Sequence, residues 1–390
     1  MIVEWMRSKF ELSRHLSHGN VRPMEGLRGL AIFLVFLTHF IPMVEPWLVP
    51  GTPLTKIART AFPMGKVGVD LFFVLSGYLI YGSLIARDQP FLSFMGRRIQ
   101  RIYPVFTLMF IVYIALSRLF PGESKVPATM PGALLYLGEN FLLLPGMLPI
   151  KPLITAAWSL SYEFFYYLTI PLLVGAFRMR EKSVHWRVGF FALLTVGAAL
   201  VSLEYGGPVR LLMFIAGILL YDVTRHHLFS ASGSVLPLVF VAAGLVSTRV
   251  PEEDPVGMVI RTGLLFVAFF MLCHTCFTRP TSAVARALSA TPVRWLGNIS
   301  YSYYLVHGLA MKMAFAVLGK FVAVHTHGLG FFMGIMVVMF AWTLVPSVFL
   351  FLFVERPFSL APKHSPRKYA DAPARFNPDA IKLANAPAAD

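Results

Sequence analysis

A histidine and a glutamate lie inside long apolar stretches of this sequence, where ionisable side chains are rare. His39 stands eleven residues after Arg28 in the string RGLAIFLVFLTH, and Glu163 lies in WSLSYEFFYYL. A charged group in the middle of a membrane span costs about 2.5–3.5 kcal/mol, so it tends to face a cavity or a partner. A neutral imidazole suits proton transfer near neutral pH, and a carboxylate can orient it. The pair therefore predicts either a general base with its orienting group or a structural hydrogen-bond network.

Helical spacing brings other polar side chains towards these two. Eleven residues at about 100° each end close to three full turns, so Arg28 and His39 share a helix face about 16 Å apart along the axis. The same geometry places Ser159, Glu163 and Tyr166 on one face of a second helix. We predict one buried chamber, and the candidate supporting or acceptor-binding residues are Asp70, Ser159, Tyr166, Tyr304 and His307.

A group of arginines precedes a third apolar stretch, in GRRIQRIYP. Charges at this position often do no more than fix the orientation of a membrane span. The alternative is a phosphate site, because the guanidinium group offers forked donors that match phosphate oxygens. With Arg28 at the same boundary, Arg97, Arg98 and Arg101 are predicted to form an anion-binding entrance of four guanidinium groups.

The elements that must position these residues are predicted to be membrane-spanning helices. The chain has 390 residues, of which 57% are hydrophobic, and its mean hydropathy is +0.68. The apolar residues come in runs long enough to cross a bilayer as helices, whose backbone groups are satisfied internally. We predict an all-α integral membrane bundle of about ten spans: Leu27–Val44, Val67–Ala86, Ile102–Phe120, Leu153–Phe177, Val188–Leu203, Val209–Val223, Val235–Val250, Val256–Phe277, Ile299–Gly319 and Phe331–Val354.

One shorter apolar segment, Gly132–Leu144, is predicted to be re-entrant or interfacial because it is too short to span.

The formal net charge is +15, and most Lys and Arg residues fall in loops on one side of this layout. The positive-inside rule then places both termini in the cytoplasm. The basic residues are predicted to interact with anionic lipids of the bilayer rather than with nucleic acid. The predicted organisation is a cytoplasmic segment (residues 1–26), a membrane domain (27–358) and a disordered cytoplasmic tail (359–390). No metal site and no permanently bound cofactor are predicted.

Six strings of the sequence resemble the signature blocks of the acyltransferase-3 family of membrane O-acyltransferases. They occur in the family's order between about residue 24 and residue 358, and their combination is far more specific than any one of them. The blocks are GLRGLAIFLVFLTHF, GVDLFFVLSGYLI, RRIQRIYP, WSLSYEFFYYLTIPLL, LGNISYSYYLVHG and VERPF.

The resemblance implies that the chain transfers an acyl group, commonly acetyl, from cytoplasmic acyl-CoA to a hydroxyl group, often of a sugar. The family's essential His and Arg correspond to His39 and Arg28. Its Arg pair corresponds to Arg98 and Arg101, and its acidic residue corresponds to Glu163. The sequence departs from the family where a second Glu or a Gln often follows that acidic residue, because Phe stands there.

Together, these observations predict that acyl-CoA docks with its phosphates on the arginines and that His39 is the general base on a carbohydrate or glycolipid hydroxyl. Glu163 either orients the His39 ring or lies near the acceptor, and a covalent acyl-enzyme on a Tyr or Ser is left open. An alternative is a transporter of a glycolipid or proton-coupled solute, with the two groups as a proton relay. A third is a purely structural membrane protein. The predicted location is a bacterial inner membrane.

Overall fold

A computed structural model of the chain describes residues 2–12, 21–205, 209–230, 235–248 and 254–360. Almost the whole of the predicted tail, from residue 361 onwards, lies outside the described residues. So do residues 13–20 of the predicted N-terminal segment and the last two residues of the predicted span Val235–Val250.

The described residues form α-helices joined by short connections, and the final helix continues as a π-helix, Phe351–Ser359. In chain order the α-helices are α1 (Ile2–Phe10), α2 (Val21–Val44), α3 (Pro53–Ile85), α4 (Phe91–Leu119), α5 (Met130–Phe141), α6 (Trp158–Ala176), α7 (Val184–Tyr205), α8 (Leu212–Arg225), α9 (Val235–Ser247), α10 (Pro255–Thr278), α11 (Ala283–Leu288), α12 (Thr291–Asn298), α13 (Ser300–Leu318) and α14 (Leu329–Leu350).

Several of these helices have the length and composition of membrane spans, so the chain is a multi-pass, all-α membrane protein. Within the described ranges, six segments qualify: Arg22–Trp47, Pro53–Ile85, Phe91–Leu119, Val184–Tyr205, Pro255–Thr278 and Leu329–Ser359. The predicted count of about ten is not confirmed, because four predicted spans do not qualify. Helices α8 and α9 are only 14 and 13 residues long, and α6 and α13, with 19 residues each, are less apolar. Helix α5, in the segment predicted to be too short to span, has 12 residues.

Helices α3 and α4 begin well before the apolar runs that predicted them. Helix α3 starts at Pro53 and α4 at Phe91, whereas the sequence placed their spans from Val67 and Ile102. Hydropathy detects only the part of a helix that is apolar all round, and both helices continue with polar side chains on one face. As a result, the arginines of GRRIQRIYP belong to the first three turns of α4 rather than to a loop.

Helix α3 packs closely against α8 through two glycines. A Cβ atom at Gly77 would lie 2.1 Å from the carbonyl oxygen of Phe214, and one at Gly217 would lie 1.9 Å from that of Val74. Neither contact leaves room for a side chain, so the two backbones approach each other directly. On another side, α3 packs along α2, and this places α3 between the helix of His39 and α8.

Buried ion pairs join helices that are distant in sequence. The Arg187 guanidinium of α7 binds both carboxylate oxygens of Asp222 on α8, at 2.9 and 2.6 Å, and the Tyr81 hydroxyl of α3 donates to the same carboxylate at 2.7 Å. Arg294 of α12 similarly binds Glu25 of α2 at 2.9 Å. Such charges are tolerated in a core only when paired, so they fix which helices are neighbours.

Candidate active site

A polar cavity lies among helices α2, α3, α4, α6 and α13. Its volume is about 840 Å³, counting the part that is open to solvent. Most of its polar lining comes from residues that the sequence singled out. The lining residues are Arg28, Val69, Phe72, Phe73, Leu75, Ser76, Leu79, Arg98, Arg101, Ile102, Ser159, Leu160, Glu163, Tyr167, Ser300, Tyr301 and Tyr304.

Two of the lining arginines are held in position by neighbouring side chains. Arg28 donates from Nε and Nη2 to the Ser300 hydroxyl of α13, at 3.2 and 2.8 Å. The guanidinium of Arg98 lies 5.1 Å from the ring centroid of Phe94 and 5.3 Å from that of Tyr167. Cation–π contacts of this kind orient a guanidinium group without neutralising it. Both side chains are half-buried, so a ligand can reach them.

Arg101 is held differently, by a carboxylate that the sequence analysis did not select. Its Nη1 lies 2.7 Å from Oε1 of Glu355, which is 0% exposed. The other oxygen of Glu355 accepts from the backbone N–H of Ser302 at 3.0 Å and from its hydroxyl at 2.6 Å. Glu355 lies in the π-helix, a rare conformation that is frequent at functional sites. The only sequence signal was the block VERPF, which gave no contact partner.

The prediction of four arginines at one entrance is wrong for Arg97. This side chain is exposed and bonds to Gln89 in the connection before α4. Adjacent positions of a helix point about 100° apart. When Arg98 lies on the cavity face of α4, Arg97 therefore points away from it, and only Arg28, Arg98 and Arg101 line the cavity.

Glu163 lines the cavity, and its hydrogen bonds among the described residues go to side chains other than His39. Of the two roles left open for it, a place near the acceptor fits this position better than orientation of the imidazole. Its Oε1 accepts hydrogen bonds from the Tyr167 hydroxyl at 2.6 Å and from the Ser76 hydroxyl at 3.2 Å. One of these donors lies one turn further along α6 and the other lies on α3. Two hydroxyl donors keep the carboxylate at the cavity wall, where a ligand can meet it.

The predicted face of α6 is right for Ser159 and wrong for Tyr166. Ser159 and Tyr304 both line the cavity, and their hydroxyls are 2.7 Å apart. Tyr166 instead stacks on Phe214 with ring centroids 4.1 Å apart and donates to the carbonyl oxygen of Leu211 at 2.8 Å. Tyr166 therefore holds α6 against the start of α8. The cavity face is occupied by the next residue, Tyr167, since four residues nearly complete a helical turn.

His39 lies beside the cavity without lining it, and its ring contacts a second histidine. The ring centroids of His39 and His307 are 5.0 Å apart and their planes are inclined by 63°. Nδ1 of His307 lies 3.0 and 2.9 Å from the carbonyl oxygens of Tyr303 and Tyr304. Because carbonyl oxygens only accept, Nδ1 carries the proton and Nε2 presents a lone pair. That Nε2 is buried and has no hydrogen-bond partner among the described residues.

Asp70, the remaining predicted residue, is paired with an arginine that the sequence analysis did not single out. Asp70 is 1% exposed, and its Oδ1 lies 3.6 Å from Nε of Arg210, just before α8. The guanidinium of Arg210 in turn lies over the ring of Trp158, 5.8 Å from its centroid. Asp70 is not itself a lining residue, although its neighbour Val69 is.

Comparisons with known proteins match most of the chain. A family described as an acyltransferase domain matches residues 23–351. Acyltransferase MdmB of Streptomyces mycarofaciens is 26% identical over 327 residues, covering 76% of this chain and 80% of the relative. Exopolysaccharide production protein ExoZ of Rhizobium meliloti is 27% identical over 317 residues, covering 76% of this chain and 90% of the relative.

A third relative is longer than this chain. Peptidoglycan O-acetyltransferase OatA of Listeria monocytogenes is 26% identical over 334 residues, which cover 74% of this chain and 49% of the relative. The chain thus spans about half the length of that protein. No solved structure matches the chain.

Proposed function

We propose, because this chain belongs to the acyltransferase-3 family, that it transfers an acyl group from acyl-CoA to a hydroxyl group of a carbohydrate or glycolipid. The observation that carries the proposal is one cavity that combines three arginines with a carboxylate and several hydroxyls, next to a pair of histidines. The relatives' names support an acyl or acetyl transfer, and two of the names refer to polysaccharide or peptidoglycan. We take acetyl as the acyl group.

The arginines are the proposed site of the coenzyme A phosphates. Arg28 and Arg98 present guanidinium groups to the cavity, and Arg101 adds a third that is partly neutralised by Glu355. A net positive wall with forked donors suits a phosphate ligand better than a neutral one. In this proposal the chain lies in a bacterial inner membrane with both termini in the cytoplasm. This end of the cavity then faces the compartment that contains acyl-CoA.

The histidine pair is the proposed source of base catalysis. His39 accepts the proton of the acceptor hydroxyl as its oxygen attacks the thioester carbonyl. The carbon–sulfur bond then breaks, and the coenzyme A thiolate leaves and takes a proton back from His39. The lone pair on Nε2 of His307 would accept the other N–H of the His39 ring and so fix its tautomer. Glu163 then acts near the acceptor rather than on the imidazole.

The proposal requires a side-chain movement, because His39 is one layer of residues away from the cavity. His39 contacts His307, and the ring of His307 lies 6.1 Å from that of Tyr304, which is a lining residue. Rotation of Tyr304 would break its hydrogen bond to Ser159 and its ring contact with Phe72. Such a bond contributes about 0.5–1.5 kcal/mol, which the binding of a substrate can offset.

The test is acyl-CoA binding and turnover by the purified protein in lipid nanodiscs. With radiolabelled acetyl-CoA, we expect saturable binding and release of the coenzyme A thiol, stimulated by a hydroxylated acceptor. Neither the transporter nor the structural alternative needs acyl-CoA. Protein that is folded, as judged by its thermal transition, but neither binds acetyl-CoA nor releases thiol would refute the proposed function.

A further inference from the structure

Aromatic and charged side chains form a second cluster near the cavity, around the start of α6. The ring centroids of Trp158 and Tyr162 are 5.5 Å apart and their planes are inclined by 84°. Phe73, a cavity-lining residue, contacts both rings, at 6.3 and 5.9 Å. Arg210, over the Trp158 ring, and its partner Asp70 complete the cluster.

This cluster lies at the other end of the cavity from the arginines of α4. Arg98 contacts Tyr167 and Arg210 contacts Trp158, and both of these aromatic residues belong to α6. Nine residues of helix separate them, which is about 14 Å along the axis. Ser159, next to Trp158, lines the cavity and bonds to Tyr304. A ligand in the cluster would therefore approach Tyr304 and the histidines from the side opposite to the phosphate site.

The two arginine sites differ in charge, and this difference selects different ligands. Arg98 has no carboxylate partner among the described residues, whereas Arg210 faces the buried carboxylate of Asp70 at 3.6 Å. An arginine–carboxylate pair offers hydrogen-bond donors and acceptors side by side. Neutral hydroxylated molecules fit it better than phosphates do.

Aromatic ring faces next to the Arg210–Asp70 pair are a combination of groups that suits the binding of a sugar. A pyranose ring has apolar C–H faces that pack on aromatic rings, and its hydroxyl groups both donate and accept hydrogen bonds. Trp158, Tyr162 and Arg210 are each half-buried, so they are ordered by their neighbours and still accessible. Ligand sites commonly combine an apolar lining with a few fixed polar groups.

We infer that Trp158, Tyr162 and the Arg210–Asp70 pair bind the sugar ring of the acceptor and direct one of its hydroxyl groups towards His39. This inference rests on the proposed function and adds the acceptor subsite to it. The acceptor and acyl-CoA then enter the cavity from opposite ends. Each can therefore bind while the other is present.

Steady-state kinetics of the full chain in nanodiscs tests the inference, with acetyl-CoA as donor and a panel of neutral methyl glycosides as acceptors. Trp158→Leu and Tyr162→Leu are expected to raise the KM for the glycoside about tenfold or more, as for buried aromatic anchors. The KM for acetyl-CoA and its hydrolysis in the absence of glycoside are expected to stay within about twofold, since α4 is unchanged. The double variant Arg210→Gln/Asp70→Asn removes both charges together and is expected to act in the same way.

Trp342→Leu is the matched control, because this half-exposed tryptophan bonds to the carbonyl oxygen of Ala310 between α13 and α14, outside the cluster. It should leave both KM values unchanged. Unaltered glycoside KM in the Trp158 and Tyr162 variants would overturn the inference, as would wild-type hydrolysis of acetyl-CoA that no glycoside stimulates. Failure of the wild type to bind acetyl-CoA at all is a different result, which contradicts the proposed function itself.

Discussion

Replacing His39 with alanine is expected to reduce the rate of acyl transfer by about 10²- to 10⁴-fold, the usual contribution of a positioned general base. In the proposed mechanism the neighbouring imidazole, His307, holds the His39 ring through the lone pair on its Nε2 and does not take the acceptor proton. The loss should appear in kcat, with the affinity for acetyl-CoA nearly unchanged. Thiol release from acetyl-CoA, followed by mass spectrometry of the acylated product, measures both quantities.

His185→Ala is a suitable control for this experiment. His185 lies exposed near the start of α7, a helix that packs against α8 and α10, so its removal should leave transfer unaffected. A His39→Ala protein that retains more than about a tenth of the wild-type kcat would be inconsistent with base catalysis by this residue. If His39→Ala instead loses folded protein in proportion to its loss of activity, with a lower thermal transition temperature, the role of His39 is structural rather than chemical.

Replacing Arg98 with glutamine is expected to weaken acetyl-CoA binding about 10- to 100-fold, because one charge-assisted hydrogen bond to phosphate contributes about 1.5–3 kcal/mol. Arg98→Lys keeps the charge but loses the planar fork that lies between Phe94 and Tyr167, so we expect an intermediate loss. Equilibrium binding of radiolabelled acetyl-CoA to nanodiscs is the measurement.

The neighbouring Arg97 provides a matched control, since Arg97→Gln makes the same change of charge on the exposed face of α4. It should alter binding less than about twofold, as expected for an exposed charge. Acetyl-pantetheine, which lacks the nucleotide phosphates, should bind wild type and Arg98→Gln almost equally. Equal effects of Arg97→Gln and Arg98→Gln on acetyl-CoA would show that only overall charge matters and would contradict a phosphate site at Arg98.

Arg101 needs a paired substitution because its partner is buried. Arg101→Gln alone would leave the carboxylate of Glu355 without its counter-ion at 0% exposure, and an unpaired buried charge destabilises a protein by about 3–5 kcal/mol. The double variant Arg101→Gln/Glu355→Gln removes both charges. Its acetyl-CoA affinity, compared with that of Glu355→Gln alone, reports on the phosphate contact rather than on unfolding.

The helical membrane architecture was predictable from hydropathy, but the positions at which the helices begin and end were not. Apolar runs located α2, α3 and α4, but the polar first turns of α3 and α4 carry no hydropathy signal. Short helices such as α8 are apolar enough to be read as spans from the sequence. Their actual length depends on where the chain turns, and the apolar pattern does not show those positions.

The candidate site was predictable where it depends on helical spacing within one element. Spacing correctly grouped Ser159 with Glu163, and the family blocks selected Arg28 and Arg98, which line the same cavity. It did not decide between Tyr166 and Tyr167, because both lie within about 60° of the same face. Spacing within a helix therefore identifies the face that lines the site, but it cannot distinguish between two adjacent residues near that face.

Contacts between distant parts of the chain were not predictable from one sequence. The pair of Arg101 with Glu355, the contact of His39 with His307 and the pair of Asp70 with Arg210 each join different helices. Which of several buried acidic residues meets which basic one depends on the arrangement of the whole bundle. For this reason Glu163 was the natural candidate to orient His39, whereas the fold places His307 there.

With the phosphates on the arginines and the thioester near the histidines, the pantetheine arm of acyl-CoA must pass through the cavity beside Glu163. The most direct measurement is thiol labelling of Ser76→Cys, a lining position, in a background with the buried Cys273 and Cys276 replaced by serine. A thioether analogue of acetyl-CoA is predicted to slow labelling by a methanethiosulfonate reagent at this position but not at Ser124→Cys, in the connection after α4. Labelling of Ser76→Cys at the same rate with and without saturating analogue would contradict the claim.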